Sequence, residues 1–590
     1  MRPQHTQYTS SGSSILRVKI LYAGLLLVIA IFIMRLFYLQ VLRHDYYQKA
    51  ALRGQLKQYE ITPERGTILA HNNGSTTAIV LNQTFYTLYA DPLFIKDSKT
   101  TAAAVQKVIG GDQNDYQAKM QAKSRYEILA KKLSGEQRDT ITKLKLKGIG
   151  MQETPYRTYP QGQMAAQLLG FVNDAGNGQY GIEQALNDQL KGKPGELKAI
   201  TDARGVPLAA NKDNIVKAPV HGKQILLTID LGMQQQLEQI VKAQTEDTKA
   251  TVGSAAIIDI SDGSIKAMAN YPTYDPAEFY KVTNQSVFTN AVVSDAYEVG
   301  SIMKVLTAAA ALDNRSVTKN QTYYDPSHFT VDDAVVKNIE EDGGPGVKSI
   351  ADVLQLSLNT GATWLLMQMG GGQINQTARE TWYNYLTNHY QFGKKTGIEQ
   401  SYESAGVVPR PDEGYGLNIR YANMAFGQGQ TETLLQMGAA MSAVLNGGTY
   451  YRPHIVDAYV GDNGNVSKQA PEVVKKDVVR PDVSEDMKEY MEYTIQKNYR
   501  FYGQTGVRPE YGFGGKTGTA QIANPNGGYY DDRFSGTFLG FVGGDKPQYV
   551  IVVGYQEPHV PGYAGSTAAA PTYFKLANML IDNFGVQPKK

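Results

Sequence analysis

An uncharged apolar run near the N-terminus constrains this 590-residue chain more than any other feature. The run covers residues 20–34 and resumes at residues 36–39 after a single Arg35. About 20 apolar residues are needed to cross the hydrocarbon layer of a bilayer, and an arginine near one end can extend its charged group to the interface. We therefore predict a transmembrane anchor over residues 20–42.

The charges before the anchor predict its orientation. Arg2, Arg17 and Lys19 precede it, and basic residues collect on the cytoplasmic side of membrane helices. Residues 1–19 are thus predicted to be a cytoplasmic tail, with the rest of the chain outside the cytoplasmic membrane. A cleaved signal peptide is the alternative. The run is long for one, and bulky residues follow it where cleavage needs small ones, which favours an uncleaved single-pass anchor.

The composition excludes several classes of function. The formal net charge is +2, which provides no general field for holding a polyanion, so nucleic-acid binding is set aside. The chain has no cysteine, which excludes disulfides, thiol catalysis and cysteine-ligated metal sites. At this length, with 42% hydrophobic residues, several folded units are expected rather than one core.

Hydrophobic patterning divides the chain after the anchor into two regions. Residues 43–220 begin with a polar, helix-compatible stalk up to about residue 60. Short β-like runs and polar stretches then alternate, with a charged, helix-prone segment at residues 116–133. We predict an irregular α+β pedestal module here, without a catalytic constellation.

Residues 221–586 are predicted to form one mixed domain. A β-hairpin is expected over residues 254–269, and strands return at residues 537–542 and 549–555. Helices between an early hairpin and late strands indicate a sheet completed by both halves of the domain. These apolar helices are predicted around residues 301–312, 351–367 and 431–445.

The strongest candidate for chemistry is an S-x-x-K pattern, Ser301 and Lys304, which opens an alanine-rich apolar run. Residues three apart share a helix face, so Lys304 can reach the Ser301 hydroxyl. The apolar surroundings predict partial desolvation of Lys304, which lowers its pKa toward that of a usable base. A helix N-terminus also offers N–H groups to an oxyanion. Ser316 and Lys319 repeat the spacing in a polar stretch, which we interpret as a coincidence.

A serine and an asparagine two residues apart form the second candidate. Ser357 and Asn359 flank Leu358 at the end of an apolar stretch, from which they can project into a cleft. The hydroxyl can relay a proton there and the amide can hold a substrate carbonyl.

The third candidate is a glycine-flanked lysine at residues 512–520, which read GFGGKTGTA. Lys516 and the hydroxyls of Thr517 and Thr519 could hold a terminal carboxylate. A Walker A loop is excluded because Glu510 stands where its first glycine is needed. A second K-T-G at residues 395–397 lacks both the preceding glycine pair and the following strand.

The three patterns, in this order, resemble the signature of penicillin-binding proteins and class A β-lactamases. Over essentially its whole length the chain resembles the class B penicillin-binding proteins, the monofunctional peptidoglycan D,D-transpeptidases. The order of the family's runs also favours Lys516 over Lys395. The supporting runs are Arg157-Thr158-Tyr159-Pro160, Leu169-Gly170-Phe171-Val172, Gly181-Ile182-Glu183, Gly427-Gln428-Gly429 and Asn446-Gly447-Gly448.

The resemblance implies an α+β fold in three parts. These are the transmembrane helix, a pedestal of the dimerisation type, and a penicillin-binding/β-lactamase-like transpeptidase domain with an antiparallel sheet against a helical cluster. It implies that Ser301 attacks the D-Ala–D-Ala carbonyl of a stem peptide while Lys304 takes its proton. Ser357 would pass a proton to the leaving D-Ala, and Asn359 would orient the substrate amide.

The same resemblance assigns substrate binding to the third pattern. Lys516 and Thr517, with Gly518 and Thr519 beside them, would bind the substrate carboxylate. The N–H groups of Ser301 and Thr519 would form the oxyanion hole. β-Lactams would acylate the same serine, and no cofactor or metal is implied. A membrane glycan polymerase of the SEDS family, with divisome or elongation proteins, is the expected partner.

Some positions depart from the family pattern. Val299 replaces the usual proline before the nucleophile turn. Ala70 and His71 replace the acidic and basic pair of the juxtamembrane motif that begins at Arg65.

Three other functions are weighed against transpeptidation. A β-lactamase needs a base for deacylation. Glu413 with Leu417 and Asn418 resembles the deacylation loop of a class A β-lactamase only weakly. A D,D-carboxypeptidase, which passes the acyl group to water, stays open, as does a β-lactam sensor or scaffold on the same fold. The intact Ser301 and Lys304 count against a scaffold without catalysis.

Overall fold

The computed structural model describes most of the chain and divides it into two compact units. The described residues are 13–47, 56–200, 215–339, 344–461, 464–504 and 506–590. The first unit comprises Met1–Pro63 with Gly192–His221, and the second comprises Glu64–Lys191 with Gly222–Lys590.

The first unit contains the predicted anchor. Helix Ser13–Phe37 continues into a π-helical turn, Tyr38–Leu42, and its apolar side chains are exposed on every side. In the described part of the chain this is the one helix long and apolar enough to cross a membrane. The predicted helical stalk lies partly outside the described residues, and its far end is a strand rather than a helix. That strand belongs to a three-stranded antiparallel sheet of Leu56–Ile61, Gly195–Ile200 and Ile215–Lys217.

The second unit contains a seven-stranded sheet. Its strands are Val466–Lys468, Val456–Val460, Gln224–Asp230, Ile68–Asn72, Ser75–Ala90, Glu127–Leu133 and Ile149–Thr158. The helices of this region are Ser98–Ile109, Gln113–Met120, Gly135–Lys143, Ala166–Leu169, Gly181–Ala185 and Asn187–Lys191. A two-stranded pair joins Phe171–Val172 and Gly178–Gln179.

The prediction of one helix-prone segment at residues 116–133 is wrong in its second half. A helix ends at Met120, and Glu127–Leu133 is a strand paired with Ser75–Ala90. Pairing with the long strand buries Leu129 and Leu133 in a core. Burial on a sheet face overrides the local preference of a charged sequence.

A five-stranded antiparallel sheet forms the centre of the C-terminal region and confirms the predicted pairing of the early hairpin with the late strands. Its order is Ile265–Tyr271, Val252–Asp259, Pro547–Gln556, Tyr529–Gly543 and Gly512–Ala523. Residues of the strands other than the edge strand Gly512–Ala523 enter two separate cores, because successive side chains point to opposite faces. Helices Leu231–Thr248 and Ala570–Asn583 cover one face, and Leu434–Leu445 covers the other.

The helical cluster carries two of the three patterns. The predicted helix at 301–312 is a 3-10 turn, Gly300–Ile302, that leads into Met303–Asp313. The predicted helix at 351–367 is two helices, Ile350–Gln355 and Asn359–Met369, with a break between them. The other helices are Ala291–Ser294, Gln376–Asn384, Leu417–Ala425 and Pro481–Asn498. Short strand pairs join Thr322–Asp325 with Gly346–Ser349, His328–Val331 with Ala334–Lys337, and Tyr450–Tyr451 with Val473–Lys475.

Candidate active site

The three sequence patterns meet in one cleft of about 520 Å³ between the five-stranded sheet and the helical cluster. Lys304 lies behind the cleft wall, fully buried, and Gly518 is buried within the edge strand. The other predicted residues line the cleft, namely Ser301, Ser357, Asn359, Lys516, Thr517 and Thr519.

Ser301 is presented by a turn that is held from two sides. Gly300 has φ +65°, and its N–H donates to Gly427 O at 3.0 Å. A Cβ on Gly300 would lie 2.7 Å from Thr519 O, so the turn packs directly against the edge strand of the sheet. Only glycine combines this backbone conformation with so close an approach. The turn therefore holds Ser301 at the N-terminus of the helix Met303–Asp313 and close to Thr519 of the third pattern.

The Lys304 amine lies 3.0 Å from Ser301 Oγ and has two obligate acceptors on its other side. One is the Ser357 carbonyl oxygen, and the other is Asn359 Oδ1 at 2.7 Å. The Asn359 amide cannot be reversed, because its Nδ2 donates to Lys337 O at 3.1 Å. A neutral amine would direct its two hydrogens to these acceptors and keep its lone pair for the Ser301 hydroxyl. The fully buried side chain agrees with the desolvation predicted from the apolar run.

Ser357 occupies a strained conformation between the two lysines. Its φ is +61°, in the left-handed region that costs a non-glycine residue about 1–3 kcal/mol. The break between the two helices allows this conformation, and it places the Ser357 hydroxyl 3.2 Å from Lys304 Nζ and 2.9 Å from Lys516 Nζ. Ser357 therefore links the lysine beside the nucleophile with the lysine across the cleft.

The edge strand Gly512–Ala523 supplies the other wall. Lys516 is 1% exposed and also donates to Thr517 O at 3.0 Å. A Cβ at Gly518 would lie 2.2 Å from Thr537 Oγ1, so no larger residue fits there. Thr519 Oγ1 accepts from Gly565 N at 3.0 Å, and its single hydrogen stays available to a ligand.

A buried network that sequence reasoning missed holds the helix that begins at Asn359. Asp325 is fully buried and accepts from Thr360 Oγ1 and Asn338 Nδ2, each at 3.0 Å. Asn338 Oδ1 in turn accepts from Thr360 N at 3.1 Å. No spacing rule connects Asp325 with Thr360, because they meet only through tertiary packing.

Two carboxylates next to the nucleophile turn, one half-buried and one fully buried, were also missed. Glu298 Oε1 accepts from Gly429 N at 2.8 Å and from the Tyr529 hydroxyl at 2.9 Å. Glu432 is fully buried, and within the described structure neither of its carboxylate oxygens has a hydrogen-bond partner. Burial, with the charge of Glu298 as a second cause, raises the pKa of Glu432 well above its ordinary value.

The two repeated patterns lie outside the cleft. Lys319 pairs with Asp486 and Glu489 at 2.8 and 2.6 Å, and these hydrogen bonds raise its pKa. In the second K-T-G, the carboxylate of Glu403 accepts from Thr396 N, Thr396 Oγ1 and Gly397 N. This turn is occupied by a carboxylate of the chain itself.

Two of the runs that carried the resemblance, together with Arg65, meet at one buried carboxylate. Glu183 is fully buried and accepts from Arg65 Nε at 2.6 Å and Arg157 Nε at 2.8 Å. His71, at a departure from the family pattern, lies 3.0 Å from Asp457.

Comparisons with known proteins show which families two parts of the chain match. Residues 253–578 match the family described as the penicillin binding protein transpeptidase domain, and residues 60–227 match the penicillin-binding protein dimerisation domain. Stage V sporulation protein D of Bacillus subtilis is 29% identical over 94% of this chain and 84% of its own length. Peptidoglycan D,D-transpeptidase FtsI of Escherichia coli is 25% identical over 97% of this chain and 92% of its own.

Solved structures share the fold. Penicillin Binding Protein 2X from Streptococcus thermophilus superposes with a TM-score of 0.71 at 24% identity, covering 89% of this chain and 80% of that one. Penicillin binding protein 3 from Mycobacterium tuberculosis, complexed with aztreonam, gives 0.66 at 24% identity, covering 90% of this chain and 98% of that one.

Proposed function

Because the chain belongs to the penicillin-binding protein transpeptidase family, as a class B member, we propose that it cross-links peptidoglycan stem peptides through an acyl-enzyme on Ser301. It is a serine-type D,D-transpeptidase of cell-wall synthesis, and β-lactams bind it. One observation carries the assignment of residues. The Lys304 amine lies 3.0 Å from the hydroxyl of Ser301, which lines the same cleft as Lys516.

In the acylation step, Ser301 Oγ attacks the carbonyl of the penultimate D-Ala and gives its proton to Lys304. The terminal D-Ala leaves as an amine that must take up a proton, and Ser357, bonded to both lysines, is placed to deliver it. Lys516 and Thr517 hold the terminal carboxylate. The N–H groups of Ser301 and Thr519 stabilise the oxyanion. The products are the Ser301 ester and free D-Ala.

In the second step an amine of a neighbouring stem peptide attacks the ester, and Ser301 recovers its proton. Water would give simple trimming instead, and a β-lactamase would need a base to activate that water. Glu413 does not supply one, because its side chain is 66% exposed and pairs with Arg410 at 3.0 Å. Glu413 does not line the cleft either. These contacts count against a β-lactamase that uses Glu413 as its deacylation base.

Labelling with a fluorescent penicillin tests the nucleophile. The wild-type protein should form a stable adduct, and mass spectrometry should place it on the peptide that contains Ser301. Ser301→Ala should not label, whereas the control Ser316→Ala, at the repeated spacing outside the cleft, should label normally. Labelling that persists in Ser301→Ala would refute the assignment.

Incubation with defined stem peptides distinguishes the alternatives that share this nucleophile. A transpeptidase joins a donor and an acceptor peptide, whereas a D,D-carboxypeptidase only releases D-Ala, and a sensor stays acylated without forming either product. Trimmed peptide as the sole product, with acceptor amine in excess, would exclude cross-linking.

Location and partners form part of the same proposal. We place residues 1–19 in the cytoplasm, the anchor at residues 20–42, the pedestal at 43–220 and the transpeptidase domain at 221–586, outside the membrane. The chain has no cysteine, so single introduced cysteines are clean probes for a membrane-impermeant thiol reagent. A cysteine in the tail should be protected, and one in the catalytic domain should react.

The expected partner is a SEDS-family glycan polymerase, together with divisome or elongation proteins. The two family matches, over residues 60–227 and 253–578, include no domain for glycan polymerisation, and the proposed anchor would lie in the same membrane as such a polymerase. Replacing residues 20–42 with an unrelated transmembrane helix should weaken co-purification of the polymerase. Unchanged recovery would count against contact through the anchor.

A further inference from the structure

The hairpin formed by the last two strands along the edge of the five-stranded sheet extends beyond that sheet at one end of the cleft. The strand Tyr529–Gly543 pairs with its inner neighbour only from Ser535 onward. Residues 521–534, the hairpin end, therefore form a two-stranded ribbon, and such a ribbon is marginally stable in water unless other contacts hold it. Gln521 and Phe534 pair across the ribbon, and both line the cleft. The shape of this part of the cleft thus depends on what holds the hairpin end.

Side chains at its base and near its tip hold the hairpin end to the rest of the domain. At the base, Arg533 Nε donates to Glu557 at 2.9 Å. Near the tip, the Tyr529 hydroxyl lies 2.9 Å from Glu298 Oε1, an oxygen that also accepts from Gly429 N at 2.8 Å. A carboxylate oxygen has no hydrogen to give, so the tyrosine donates. This bond joins residues 231 positions apart and connects the tip with the segment that leads into the nucleophile turn.

Glu298 also holds the loop that supports the nucleophile turn. Its bond to Gly429 N fixes a loop in which Gly427 O accepts from Gly300 N at 3.0 Å. Gln428, between the two glycines of this loop, lines the cleft. One carboxylate oxygen therefore connects three parts of the site, namely the nucleophile turn, the loop at Gln428 and the hairpin end.

The edge strand indicates which part of a substrate meets the hairpin end. Thr517, Thr519 and Gln521 all line the cleft, because residues two apart on a strand face the same side. In the proposed function the terminal carboxylate lies at Thr517 and the attacked carbonyl at Thr519. A donor that continues in the same direction reaches Gln521, which is about 13 Å from Thr517 at about 3.3 Å per residue. That distance corresponds to about four residues of an extended peptide.

We propose that the hydrogen bond from Tyr529 to Glu298 fixes the hairpin end as a binding surface for the stem-peptide residues that precede the D-Ala–D-Ala terminus. The Gln521 amide donates one hydrogen to Tyr530 O at 3.3 Å, and its second hydrogen and its oxygen can bind a peptide backbone. Glu298 and Tyr529 are positioning residues, since they hold the cleft wall rather than the reacting atoms. The inference rests on the proposed function, which sets the direction in which the donor lies.

Two thioester donors of different length test the proposal on the full-length protein in detergent. The short donor is N-acetyl-D-alanyl thioglycolate, and the long donor carries acetylated L-Ala-γ-D-Glu-L-Lys on the same D-alanyl thioglycolate. Acylation of Ser301 releases thioglycolate, and a chromogenic thiol reagent detects it without background because the chain has no cysteine. Tyr529→Phe should lower kcat/KM for the long donor about three- to tenfold, as expected for loss of one hydrogen bond. The short donor does not reach the hairpin end, so its kcat/KM should change less than about twofold.

A double-mutant cycle shows whether the effect passes through Glu298. In a Glu298→Ala background, Tyr529→Phe should lower kcat/KM for the long donor less than about twofold further, because the acceptor is already missing. Glu298→Gln keeps an acceptor oxygen and should restore the effect of Tyr529→Phe. Hydrogen–deuterium exchange of residues 521–534 should be faster in Tyr529→Phe than in the wild type, because the tip of the ribbon is no longer held.

Tyr530→Phe provides a matched control on the same strand. The Arg533 guanidinium lies 4.4 Å from the centroid of the Tyr530 ring, and phenylalanine keeps that contact. This variant should change kcat/KM for either donor less than about twofold. An unchanged long donor or equal losses for both donors in Tyr529→Phe would overturn the inference, as would equal effects of Tyr529→Phe in the wild-type and Glu298→Ala backgrounds. None of these results would affect the nucleophile assignment, which fails only if labelling survives Ser301→Ala.

Discussion

Glu432→Gln should make the protein more stable, by an amount that grows with pH. Glu432 is fully buried, its carboxylate oxygens have no hydrogen-bond partner in the described structure, and Glu298 adds a like charge nearby. Burial disfavours the ionised form, so the folded protein binds a proton that the unfolded chain has already released. Glutamine has nearly the same shape and carries no charge.

The magnitude follows from linkage. Because the folded pKa of Glu432 is raised, the stability associated with its proton is fully present below the unfolded pKa of about 4.3 and is lost as pH rises toward the folded pKa. Within that window the free energy of unfolding of the wild type should fall by up to about 1.4 kcal/mol per pH unit relative to Glu432→Gln. For a large domain, a change of one kcal/mol in the free energy of unfolding shifts Tm by about 2 °C. The difference in Tm between Glu432→Gln and the wild type should therefore increase by about 5 °C over two pH units.

Thermal unfolding of both proteins, followed by circular dichroism from pH 4 to pH 8, measures this gap. Glu413→Gln is the control, because the Glu413 side chain is 66% exposed. The difference in Tm between this variant and the wild type should be the same across the pH range. A constant difference between Glu432→Gln and wild type across the range would refute the reasoning, since it would mean that residue 432 does not change its proton occupancy on folding.

Three further variants test other parts of the structure. Lys304→Ala should slow penicillin acylation about 10²- to 10⁴-fold, as expected for loss of a general base, and normal labelling would exclude that role. Glu183→Gln should lower the free energy of unfolding by about 3–5 kcal/mol in denaturant titration, because Arg65 would lose its buried partner; a change below 1 kcal/mol would contradict this. Asp325→Asn should slow acylation about tenfold by loosening Thr360 and the helix that begins at Asn359, whereas an unchanged rate would show that the network has no effect on the site.

Local spacing was enough to predict features that lie within one helix or one strand. Ser301 and Lys304 are three residues apart, and a helix brings residues at that spacing onto one face whatever surrounds them. The hairpin over residues 254–269 follows in the same way from alternating residues and a turn. Prediction from local sequence was wrong where a segment pairs with another that is distant in the chain. The strand Glu127–Leu133 reads as charged and helix-prone, yet the long strand beside it determines its conformation.

The same distinction between local and long-range contacts applies to the candidate site. The sequence alone determined the three patterns, their order, the apolar anchor and the apolar residues around Lys304. Each of these features is formed by residues that are adjacent in the sequence. Only the tertiary structure decided how Asn359 is oriented and that the Ser357 hydroxyl lies between the two lysines. Those contacts join residues far apart in the chain, and packing and hydrogen-bond satisfaction, which act through space, select them.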